Sequence, residues 1–93
     1  MGHVFHPGHQ ALHGVTVVLE THGAKTYVGR FDSQDDRGVH LHDVGVYDAA
    51  IATTSKEEFL RRCDRFGIPP QHRDLLVPGT EVARIQKLVD AVR

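Results

Sequence analysis

A chain of 93 residues is long enough for one domain with a modest core and too short for two. With 40% hydrophobic and 25% charged residues it has the composition of an ordinary soluble globular domain, and a net charge of −1 gives no bulk attraction to nucleic acid or to an acidic membrane. The lone cysteine, Cys63, excludes an internal disulfide framework and fits a reducing cytoplasm; no apolar run reaches the length of a membrane span. The first residues lack a charged-then-apolar signal pattern, and His6 stands where a myristoylation motif needs Ser or Thr.

In chain order, residues 1–13 are rich in Gly and His, contain Pro7-Gly8, and read as a loosely ordered arm. Within it His9 to His13 spans one helical turn, too short to be stable alone. A first strand is expected over about Val15 to Glu20. Val15, Val17 and Leu19 alternate there with Thr16, Val18 and Glu20, and Val18 on the second side implies cover on both faces. Thr21 to Ala24 form a turn around Gly23. A second strand, Lys25 to Asp32, sets Tyr27, Gly29 and Phe31 on one face and Thr26, Val28 and Arg30 on the other. Gly29 inside it suggests a sharp bend. The polar run Ser33 to Gly38 reads as the next turn. A third strand, Val39 to Val44, turns Val39 and Leu41 inward and His40 and His42 outward.

Residues 47–53 fit either a continuing strand or a connector. A helix follows over about 55–66: Thr54 or Ser55 can cap it, with Glu57 or Glu58 in the third position of a capping box. Phe59, Cys63 and Phe66, with Leu60 beside them, form an apolar stripe; Gly67, Ile68 and Pro69-Pro70 close the helix. Residues 75–85 read as a further hairpin. Val82 and Ile85 suit a strand, and the spacing of Leu88, Val89 and Val92 allows a short terminal helix. The arm 1–13 and a single domain over 14–93 make up the chain.

The strand block 14–44 resembles the first motif of Sm and Sm-like proteins. Gly14, Val17, Leu19, Gly23, Tyr27, Gly29, Phe31 and Asp35 match, and Leu41-His42-Asp43-Val44 is similar to the family's "Leu-x-Asp-Ala" close. Val77, Gly79, Val82 and Ile85 resemble the second motif. The resemblance covers about half of the chain and implies a mainly β fold. Its expected form is a five-stranded, strongly bent Sm-like (SH3-like) barrel with one helix inserted between the third and fourth strands. It also implies assembly into a homo-oligomeric ring, in which the fourth strand of one subunit pairs with the fifth of the next. Such a contact is head-to-tail and covers both edges of an open barrel.

The resemblance implies RNA binding as well, through an Asn after the second strand and an Arg-Gly pair before the fifth. Here the first position is Gly38 or Arg37, the second reads Pro78-Gly79, and the chain contains no asparagine. The family's uridine pocket is therefore not expected in its usual form. The residues left for looser contact with single-stranded RNA are Tyr27, Arg37, Gly38 and Gly79, with Tyr27 and Phe31 able to stack on bases or to serve as core. No signature of DNA binding is present.

Eight histidines form the second constellation. His3, His6, His9 and His13 form HxxHxxHxxxH, and His40 with His42 forms HxH, whose side chains share one face of a strand. His9, His13, His40 and His42 are the candidate metal ligands. Zinc needs three or four convergent donors, and a polar arm beside a solvated strand face is the plainer account. A pH-sensitive interface is a third use of the same residues. No catalytic residues or cofactor are expected: Cys63 sits on an apolar stripe, Ser55 is a cap, and Arg61 and Arg62 can pair with Glu57 and Glu58. Two functions follow as expectations. One is a degenerate RNA-binding Sm-like ring; the other is an oligomeric scaffold or protein-interaction module, assisted by metal through the histidines.

Overall fold

A computed structural model describes residues 12–93. In chain order these form β1 (Thr16–Thr21), β2 (Lys25–Asp35), β3 (Gly38–Asp48), α1 (Lys56–Phe66), β4 (His72–Pro78), a 3-10 turn (Gly79–Glu81), β5 (Val82–Lys87) and α2 (Leu88–Ala91). The five strands make one antiparallel sheet in the order β4-β3-β2-β1-β5. The fold is thus mainly β, with a helix between the third and fourth strands. β4 and β5 pair with β3 and β1 but not with each other, so the sheet has two edges and is not closed. Among the described residues no helix is long and apolar enough to cross a membrane.

One face of the sheet is covered throughout, and the other in part. Val17 and Leu19 of β1, Phe31 of β2, Val39, Leu41 and Val44 of β3, and Val77 of β4 form one buried cluster, joined at its margin by Tyr27, Leu75, Val82 and Ile85. Residues from both edge strands enter this cluster, so the sheet curls over it. Val18 and Val28, pointing the other way, meet Leu60 and Cys63 of α1 and Leu88 of α2. That is why Val17, Val18 and Leu19 are all fully buried although consecutive residues on a strand face opposite sides.

The bend expected at Gly29 is present as a break in the β2–β3 register between Val28 and Arg30. A Cβ there would lie 3.0 Å from the His42 carbonyl and from a Val44 methyl group, tighter than ordinary contact, so a side chain here would push the two strands slightly apart. Helix α1 starts where expected, with the Ser55 hydroxyl accepting from the Glu58 N–H at 3.1 Å. It ends with the Gly67 N–H donating to the Cys63 carbonyl at 3.0 Å.

Three expectations change, and one open alternative is resolved. The polar run Ser33 to Gly38 is mostly strand: β2 extends to Asp35, β3 begins at Gly38, and Asp36-Arg37 alone turn the chain. Asp35 supplies the reason, since its carboxylate accepts from the Arg37 and Gly38 N–H groups and closes a tight turn. Residues 75–85 are not a hairpin, because the 3-10 turn carries the chain from one edge of the sheet to the other. Phe66 is 78% exposed rather than part of the apolar stripe, which Leu60 and Cys63 carry instead. Residues 47–53 divide: Tyr47 and Asp48 finish β3, and a turn follows over 49–51.

Candidate functional site

The two turns that hold the RNA-contact candidates meet. Gly38 pairs in register with Pro78, and the Gly79 N–H donates to the Arg37 carbonyl at 3.1 Å. Gly38 has a φ of 149°, and a Cβ on it would lie 2.0 Å from the Val77 carbonyl. No other residue fits there without moving backbone, so this position holds the junction together and has no side chain to offer a ligand. Arg37 is the one cation among the candidates, and its guanidinium is 3.1 Å from the Asp35 carboxylate. The Arg37 backbone N–H, the Arg37 guanidinium and His40, in that order, hold Asp35 well below the usual carboxylate range.

Tyr27 is not part of this junction. It lies eight residues back along β2, opposite Leu19 and Val46, and packs against the strand-lined core. Its exposed part lines a shallow groove with Thr21, Lys25, Asp48 and Glu81.

The outer surface of the β2–β3–β4 ladder carries the histidines. His40 Nε2 is 3.0 Å from Asp35 Oδ2. The His42 Nδ1 is 2.5 Å from Asp74 Oδ1, and its Nε2 is 3.5 Å from Asp32 Oδ1. His13 Nδ1 lies 2.7 Å from the Asp32 carbonyl and 3.9 Å from its carboxylate. Beside them Arg30 donates to Asp43 at 2.6 Å, which lowers the Asp43 pKa. Asp43 itself has a positive φ of 52° next to the His42 bulge, and its carboxylate serves Arg30 rather than the histidines.

His40, His42 and His13 therefore each face a carboxylate or a carbonyl. Among the described residues no group of three His, Cys, Asp or Glu is placed to hold a metal ion, and His9 lies outside the described residues. The sequence does not point to Asp32 or Asp74, and it gives Asp35 as a motif position and not as the partner of Arg37 and His40. Asp74 lies 32 positions from His42, and only the β3–β4 register brings the two together. Cys63 is buried on α1, and burial pushes its thiol pKa up, as befits an unreactive core residue.

No family model matches the chain, and no curated protein matches its sequence. Among solved structures the chain is similar to a chain of the NatC complex in its crystal structure bound to CoA. The identity is 14% and the TM-score 0.57, over 90% of this chain and 92% of that one. At this identity the likeness concerns the fold.

Proposed function

We propose that the protein is a divergent Sm-like protein whose curled sheet acts as an open five-stranded barrel, and that it works as an assembly subunit. The observation that carries this reading is the strand order. It leaves β4 and β5 as the two edges, with no strand beyond either among the described residues. Such edges are templates for pairing with another chain. Leu76 on β4 is 38% exposed, an apolar side chain that a neighbouring strand would cover. A similar fold in a chain of the NatC complex supports the reading, because that chain too is part of a larger assembly. Pairing of β4 of one copy with β5 of the next closes into a homo-oligomeric ring; pairing with a different chain gives a mixed complex.

The test is mass in solution. Light scattering at about 100 µM, a concentration at which even weak assemblies populate, is expected to give a multiple of the 10.3 kDa chain. Leu76→Lys is expected to return the monomer. A monomer at that concentration, which also recovers no partner strand on co-expression with candidate subunits, rejects the proposal. Zinc added in the same experiment examines assistance by metal, which would need ligands shared between chains.

A second reading, contact with single-stranded RNA, draws on the meeting of Arg37 and Gly38 with Gly79. It is the weaker of the two, because Asp35 already neutralises Arg37 and Tyr27 lies elsewhere. Filter binding of short RNAs across a salt series decides it: phosphate contacts require an affinity that falls with salt.

A further inference from the structure

We propose that protonated His42 clamps three strands together, holding the exposed first half of edge strand β4 onto the sheet, and that the clamp slackens as the pH rises. The inference rests on the geometry of a single chain and does not depend on the assembly reading. His42 lies on β3, opposite Arg30 of β2 and Asp74 of β4 in the strand register. One ring nitrogen faces Asp74 at 2.5 Å and the other faces Asp32, on β2, at 3.5 Å. A neutral imidazole carries one N–H and must turn a lone pair toward one of these carboxylates, whereas imidazolium donates to Asp74 and still turns a positively charged N–H toward Asp32. The geometry fits the charged ring.

The surrounding charges favour the same form. From β2 come Arg30 and Asp32; from β3, His40 and Asp43; from β4, His72, Arg73 and Asp74; from the turn before β1, His13. Arg30 is engaged by Asp43 at 2.6 Å and His40 by Asp35 at 3.0 Å, so neither opposes a charge on His42 directly. The hydrogen bond to Asp74 is the largest influence raising the His42 pKa, and partial desolvation opposes it. A group whose pKa is raised by folding contributes most below its unfolded value and loses that contribution as the pH climbs through its folded value. The clamp is therefore tight in mildly acidic solution and weak in mildly alkaline solution.

β4 is the element that responds. It pairs only with β3, its anchors, buried Val77 and half-buried Leu75, lie in its second half, and His72, Arg73 and Asp74 are exposed. Besides the backbone ladder, the first half has this ionic contact and a weaker attraction between Arg73 and Asp43 to hold it.

Amide hydrogen exchange over residues 72–75, corrected for the intrinsic pH dependence of exchange, tests the clamp in the full chain. Protection is expected to fall about threefold between about pH 6 and about pH 8.5, the size an exposed ion pair gives. His42→Gln cannot charge and is expected to lose that response. In an NMR titration the His42 ring is expected to hold its proton above the ordinary histidine value, and Asp74→Asn is expected to lower its midpoint. A full pH response in His42→Gln, a flat response in the native chain, or a midpoint unmoved by Asp74→Asn each overturns the proposal.

Discussion

The two faces of the sheet are buried by different means. One is lined by strands alone: Val17, Leu19, Phe31, Val39, Leu41, Val44 and Val77 pack on one another because both edges curl inward. The other is a smaller cluster, Val18 and Val28 roofed by Leu60, Cys63 and Leu88 from helices of 11 and 4 residues. Helices this short have little stability of their own in water and depend on the sheet they cover. The strand-lined face therefore carries the fold, and the helix-covered face is an addition to it.

Truncation on each face tests that ranking. Leu41→Ala removes a fully buried side chain from the strand-lined core and is expected to cost about 4 kcal/mol. Leu60→Ala, at the 6% exposed rim of the other cluster, is expected to cost about 2 kcal/mol, because a short helix can settle into the space. Urea denaturation of both variants measures the difference. Equal losses would break the comparison.

Gly38→Ala falls between these two in size and sharpens the first half of the contrast. Its Cβ would meet the backbone of Val77, Pro78 and Gly79 and not a side chain that could turn away. At a φ of 149° the added residue is also strained in itself. A loss of about 3 kcal/mol is expected, with the added strain and clash setting the scale. The NMR shifts of residues 36–40 and 76–80 should move together. A loss below about 1 kcal/mol would show that the turn junction yields, and that side-chain burial alone sets the strength of this face.

The two faces were also unequally legible. Strand alternation in Val15 to Glu20 and Lys25 to Asp32 assigned Tyr27 and Phe31 to one side and Val28 to the other, as the clusters have it. The Ser55 cap and Gly67 placed α1 to within a residue. The β2–β3 turn is shorter than the polar run implies, because Ser33, Gln34 and Asp35 are polar strand residues on a long exposed hairpin, where nothing apolar marks the strand. The crossing from β4 to β5 resembles a hairpin in sequence because spacing does not report which edge a strand joins. For the same reason the carboxylate partners of His42 were invisible: an ion pair across three strands exists only in the register.

Phe66 is the smallest expected effect and bears most directly on the helix-covered face. By helical spacing it continues the stripe of Phe59 and Cys63, yet it stands at the last residue of α1. There it is 78% exposed, with the Arg65 guanidinium 5.7 Å from its ring. A cation over an exposed ring contributes at most about 1 kcal/mol, and the burial lost on truncation is slight. Phe66→Ala is expected to change stability by less than about 0.5 kcal/mol, as surface substitutions do. A loss of about 2 kcal/mol, the amount expected for Leu60→Ala, would mean that Phe66 belongs to the cluster after all. The helix-covered face would then reach to the end of α1, and its cover would be nearer in weight to the strand-lined core.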